Sequence, residues 1–190
     1  MVVGYKKETI DLPNIDVIAD DDYKITGEMA SLTKAIDTAH EGCVILFGDV
    51  LFKKYVLSIL LDDLSDIVII VDSVFSLEKK YQSDFVHAST MESKSLFHED
   101  NFYLEKIVYG QPGTEYYGEW PGMVKLTMKG LEIVKSFIQK FRNKPEFQKM
   151  NIRNMLNQLV QRGNKIKIQT ISGHRIDVNN IDDFSLAGEF

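Results

Sequence analysis

Two aspartates far apart in the chain stand where a carboxylate could reach a ligand. Asp49 follows the apolar run Cys43-Val44-Ile45-Leu46-Phe47-Gly48, and Asp177 sits within Arg175-Ile176-Asp177-Val178-Asn179. Each reads as the polar end of a strand. Two such carboxylates can hold a magnesium ion, because a hard cation takes oxygen ligands and leaves positions for phosphate oxygens. The reading depends on the fold bringing the two side chains together. Each has a plainer rival. Asp49 can cap the turn after Gly48, which is ordinary turn chemistry, and Asp177 can bond nearby backbone.

Other polar residues carry less chemistry. Asp72 closes the run Ile67-Val68-Ile69-Ile70-Val71 and reads as a turn residue. Glu119 is balanced between a pocket carboxylate and a surface charge. Trp120 reads as a packing residue first. His174 reads as structural or exposed, and His40, His87 and His98 lack the spacing of a metal site. The pairs Lys6-Lys7 and Lys79-Lys80 read as solvated. The one cysteine, Cys43, cannot form an internal disulfide and reads as a small buried hydrophobe.

The elements that must carry the two aspartates alternate. Residues 1–3 look like the end of a strand, 6–9 like a short helical or loop segment, and 17–19 like a brief strand. Helical spacing over 27–40 puts Met29, Leu32, Ala35, Ile36 and Ala39 on one face, and Gly42 stops it. A strand over 43–47, a helix over 52–61 and a strand over 67–71 follow. Uninterrupted apolar runs suit strands covered on both faces. Residues 77–99 read as a polar, exposed segment. Strands are expected over 102–107, 122–126 and 166–171, with a turn over 111–114 and helices over 129–142 and 151–161, the second ended by Gly163. Asn180 can cap a last short helix, with Asp183 completing a capping box.

The whole chain, 1–190, reads as one α/β domain with a mainly parallel sheet. With 44% hydrophobic and 26% charged residues it has the composition of a folded domain. A net charge of −6 argues against nucleic acid as a partner. The apolar runs are too short to cross a membrane. No leader is recognisable at the start, and a reducing cytoplasmic setting is expected.

Six segments in order carry a family resemblance: Val3-Gly4-Tyr5-Lys6-Lys7-Glu8, Thr26-Gly27-Glu28-Met29-Ala30-Ser31-Leu32, Gly48-Asp49-Val50-Leu51-Phe52, Ile69-Ile70-Val71-Asp72, Gly118-Glu119-Trp120-Pro121-Gly122 and Gly173-His174-Arg175-Ile176-Asp177-Val178-Asn179, with Asp183 after the last. The chain resembles the nucleoside-triphosphate nucleotidyltransferases, in particular the branch associated with phosphoenolpyruvate mutase in phosphonate pathways. The resemblance implies a Rossmann-like sheet, mainly parallel and mixed, with flanking helices. It implies CMP transfer from CTP to a small phosphonate or phosphate acceptor such as 2-aminoethylphosphonate. The acceptor oxygen attacks the α-phosphorus and pyrophosphate leaves, chemistry that needs positioning and charge neutralisation. By residue match Asp49 and Asp177 would hold Mg2+, and Glu28 and Ser31 would lie in the segment contacting nucleotide or acceptor. Glu119 and Trp120 would line the acceptor pocket, with Glu119 meeting the amino group.

The resemblance departs at the front. The family opens with a strand and a glycine-rich, arginine-containing loop that grips the triphosphate, and no such segment precedes Val3. The expectation is an N-terminally truncated domain with little or no activity of its own. Two other classes compete with it. One is a non-catalytic fragment that self-associates, for example as a homodimer, through exposed strand edges. The other is a metal-dependent glycosyltransferase, disfavoured because Asp72-Ser73-Val74 lacks an Asp-any-Asp motif.

Overall fold

The computed structural model describes residues 1–75, 77, 82–91 and 101–190. Lys79, Lys80, Lys94 and His98 lie outside the described residues. In chain order come β1 (Val2–Val3), β2 (Ile18–Ala19), α1 (Glu28–Ile36), β3 (Gly42–Ile45), β4 (Val50–Phe52), α2 (Lys54–Asp62), β5 (Ile67–Asp72), β6 (Ser83–Met91) and β7 (Asn101–Gly110). Then follow β8 (Gly118–Glu119), β9 (Val124–Thr127), α3 (Met128–Phe141), α4 (Ile152–Gln161), β10 (Lys167–Ile171), β11 (Arg175–Asp177) and α5 (Ile181–Ala187).

β5 is the axis of the molecule. All six of its residues are buried, and the five apolar ones alternate between two layers. Ile67, Ile69 and Val71 join the larger core with Met29 of α1, Leu131, Val134 and Phe137 of α3, and Met155 and Leu156 of α4. Val68 and Ile70 face the other way, onto Val56 and Leu60 of α2 and Met123. The period of two along a strand sorts one apolar run into both layers. The result is a sheet covered by helices on both faces, with α2 on one side and α1, α3 and α4 on the other. Among the described residues no helix is long and apolar enough to cross a membrane.

The sheet is mixed. β5 runs parallel to β10 and antiparallel to β9, which in turn pairs antiparallel with β3. β6 and β7 form a long antiparallel ladder that joins the sheet through β8 and β10. Two small sheets stand apart, the parallel pair β1–β2 and the antiparallel pair β4–β11.

Several boundaries depart from the sequence reading. β6 runs through the stretch expected to be an exposed segment. Phe85 and Val86 are fully buried there, and polar neighbours such as Asp84 are matched by partners from distant elements. The first long helix stops at Ile36 rather than 40, and Gly42 begins β3 instead of merely ending the helix. Gly42 has φ +109, and a Cβ there would stand 2.6 Å from the Leu126 carbonyl oxygen, so a side chain would collide. The strand after it ends at Ile45, two residues before Phe47. The expected capping box forms, and the structure adds a second. Asn151 and Asn154 close one at α4, and Asn180 and Asp183 close the other at α5.

Candidate functional site

β4 and β11 bring the two aspartates together. Leu51 opposes Ile176 and Val50 opposes Asp177, and the Val178 N–H donates to the Asp49 carbonyl at 2.8 Å. Asp49 and Asp177 line one cavity of about 370 Å³ with Phe47, Asp84, Tyr109, Trp120 and Asp183. That volume is within the usual range of small-molecule sites. Asp49 is exposed at the cavity wall.

A buried guanidinium fixes the second aspartate. Arg175 is only 5% exposed, and its Nε donates to Asp72 Oδ2 at 3.1 Å. Its Nη2 donates to Glu119 Oε2 at 2.6 Å, and its Nη1 to Asp177 Oδ2. Burial alone would favour loss of the Arg175 proton; Asp177, Glu119 and Asp72 outweigh it and hold the guanidinium above its ordinary pKa. Asp72 also accepts from the Val74 and Gly173 N–H groups. The cluster therefore ties β11 to the ends of β5 and β8. Three carboxylates share one cation, and Asp177 Oδ1 is buried with no hydrogen-bond partner among the described residues.

The cavity wall is acidic, and its cations reach in from behind. Asp84 pairs with Arg153, which stacks over the Tyr109 ring at 5.0 Å. Burial raises the Asp84 carboxyl above its ordinary value, against the opposing pull of Arg153. Trp120 lies edge-on to Phe47 at 5.5 Å and donates its indole N–H to the Met123 carbonyl at 3.2 Å. Gly122, with φ +78, lets the chain pass against Phe47 where a Cβ would clash.

The other expected residues sit elsewhere. Glu119 is fully buried, takes the Ser83 hydroxyl and Arg175, and does not line this cavity, so it is not a surface charge. Glu28 accepts the Ile152 N–H at 2.9 Å, satisfying an orphan donor at the start of α4. Ser31 donates to Asp20 Oδ2 at 2.5 Å, in a cluster that includes Lys34. Neither Glu28 nor Ser31 lines the cavity. Asp72 is a turn residue, as expected, but also a buried anchor for Arg175. His174 is exposed, has φ +62 and pairs through Nδ1 with the Tyr55 hydroxyl. Cys43 packs beside the larger core, and burial raises its thiol pKa. Sequence reasoning missed Arg175 and Asp84. A signal for Arg175 existed in its neighbour Asp177, but nothing local points to Asp72 or Glu119.

No protein-family model and no curated protein sequence matches the chain. Solved structures do match in shape. UDP-glucose pyrophosphorylase from Acinetobacter baumanii is 17% identical with a TM-score of 0.60, over 95% of this chain and 61% of that one. CTP:phosphocholine cytidylyltransferase from Streptococcus pneumoniae is 12% identical with a TM-score of 0.61, over 92% and 68%. The inositol-1-phosphate CTP transferase from T. maritima is 17% identical with a TM-score of 0.60, over 88% and 61%. The chain has the mixed α/β fold of these sugar-nucleotide and cytidylyl-transferring proteins. It spans less than two thirds of the length of the first and the third.

Proposed function

We propose that the chain is a nucleotidyltransferase domain, and that its site serves Mg2+-dependent CMP transfer from CTP to a small phosphonate or phosphate acceptor. The observation that carries this reading is the convergence of Asp49 and Asp177 on one cavity, with Asp177 Oδ1 buried and unpartnered. An acidic oxygen in that state costs free energy unless a cation or donor meets it. Among the described residues no group of three or more His, Cys, Asp or Glu is arranged to hold a metal. The two aspartates would therefore supply a minority of the ligands, as suits Mg2+, which keeps waters and takes phosphate oxygens. When bound, the ion would neutralise charge developing on the transferred phosphoryl group.

The chain's own residues would then divide the work. Arg175 would hold Asp177 by one oxygen, and its other oxygen, which has no partner, would be available to the ion. Trp120 and Phe47 offer an aromatic wall. Asp84 and Asp183 give an acidic surface that suits an acceptor carrying an amino group, such as 2-aminoethylphosphonate. Glu119 would serve by anchoring Arg175 rather than by touching the acceptor. Cation binding can be tested directly on this chain.

Trp120 is the chain's one tryptophan and lines the cavity, so it is a built-in reporter. Titrated Mn2+ is expected to broaden its indole N–H resonance. Asp49→Asn and Asp177→Asn should each weaken that effect by about 10-fold or more, since each removes one charged ligand. Equal broadening in both variants would overturn the reading.

A further inference from the structure

The last helix is built inside out. α5 turns Asp183 and Ala187 toward the body and leaves its large apolar residues in water. Ile181 is 81% exposed, Phe184 71% and Leu186 57%. A surface helix ordinarily does the reverse. Its rotation is set at its start. The Asn180 side chain accepts from Asp182 and Asp183 N–H, and Asp183 Oδ2 accepts from Asn179 and Asn180 N–H. Ile181 and Phe184, three apart and so on one side of the helix, are left largely uncovered, whereas Leu186 lies on the other flank.

A complementary surface lies between α3 and α4. A groove of about 530 Å³ has Ile133, Phe137, Phe141 and Leu159 along its floor. Lys129, Lys140 and Arg162 stand on its rim with one carboxylate, Glu132. Lys129 is paired with Asp66, so Lys140 and Arg162 are what make this rim basic in a chain of net charge −6. α5 is the opposite, with Asp182 beside its apolar residues and Glu189 just after them. Packing α5 against the same helix of another molecule would bring like charges together. Its acidity also disfavours an anionic lipid surface.

We infer that α5 of one molecule docks in the α3–α4 groove of a second copy, head to tail, with Phe184 as the anchor. Ile181 and Phe184 meet the apolar floor, and the acidic residues meet the basic rim. The contact is heterologous, so each molecule offers one α5 and one groove. It does not rest on the proposed activity. Asp183, adjacent to Phe184, lines the cavity, so docking also steadies one cavity wall.

Sedimentation velocity over a range of concentrations tests this. Association is expected to grow with concentration at low salt and to fall at high salt, where the charged rim is screened. Phe184→Glu and Lys140→Glu change exposed side chains, and each should sediment as a folded monomer. Mixed together, the two variants should form a heterodimer and nothing larger, because each keeps the half that the other lost. A wild-type monomer at every concentration overturns the inference. So does association that survives Lys140→Glu, or a mixture that stays monomeric. A salt-insensitive contact that Phe184→Glu abolishes and mixing does not restore would instead mark an isologous apolar interface.

Discussion

The seven-stranded body and the small lobe of β4, β11 and α5 are held by different forces. The body is ordered by apolar burial. Every residue of β5 is buried, and helices cover both of its faces. The lobe has no buried residue in α5, and a two-stranded pair is marginal by itself. Its anchor is a charge cluster, in which Arg175 reaches from β11 to Asp72 of β5 and Glu119 of β8. The site lies along this seam, so the fold puts its acidic chemistry where buried ion pairs, beside Phe52 packed on the α2-side core, tie the lobe to the body.

The largest way to break the comparison is to cut the anchor. Arg175→Met leaves three carboxylates in or near the protein interior without their shared cation. Breaking a buried pair from one side costs about 3–5 kcal/mol. Phe137→Ala in the body costs about the same by emptying a packed position. The two losses should differ in kind. Hydrogen exchange after Phe137→Ala should accelerate across the whole body, whereas Arg175→Met should expose β4, β11 and α5 first. Uniform acceleration in both variants would show that the lobe and body are one cooperative unit. Lys129→Met supplies the contrast of an exposed pair with Asp66, where little or no change in stability is expected.

A smaller effect sharpens the same contrast. The two capping boxes are chemically alike, yet α4 buries Ile152, Met155, Leu156 and Leu159 and α5 buries nothing. Losing a cap of this kind costs about 1 kcal/mol. In Asn151→Ala the loss should appear in the global unfolding midpoint, because α4 is part of the core. In Asn180→Ala it should fray α5 alone, seen as lost amide protection over 181–187 with the midpoint nearly unchanged. An equal fall in both midpoints would mean that α5 is packed as firmly as α4.

This contrast also explains what could be read from the sequence. Apolar periodicity found β5, α3 and α4 because their burial pattern is local. The Asn180–Asp183 box was legible because its two residues are three apart. The meeting of Asp49 and Asp177 was legible only as a condition, that two strand ends converge, and the antiparallel pairing of β4 with β11 supplies it. β6 was not legible. Its polar residues look solvated until Asp84 meets Arg153 and Ser83 meets Glu119, partners that no window of sequence contains. Arg175 was missed for the same reason. Long-range ion pairs leave no periodicity, so the part of the site made from them stays invisible before folding.

The smallest effect concerns a charge on the body side of the seam. Glu28 joins α1 to the start of α4 through the Ile152 N–H. Burial raises its carboxyl above 4.5; the Ile152 bond and Arg153 oppose this, while Asp84 and Asp49 add to it. An acid whose value is raised by folding holds its proton more tightly in the folded state. The stability it contributes is therefore complete below the unfolded value and drains away as pH rises through the folded one. Asp84 has the same sign, and Asp20, Asp63 and Asp66 have the opposite one, with their losses falling at lower pH. Glu28→Gln isolates the one residue, since its amide oxygen can still accept from Ile152 but has no proton to lose. The urea midpoint of the variant should gain on that of the wild type as pH climbs from about 4.5 toward neutrality. If the wild type gains instead, the Ile152 N–H and Arg153 outweigh burial, and the seam is stabilised by charge on both of its sides.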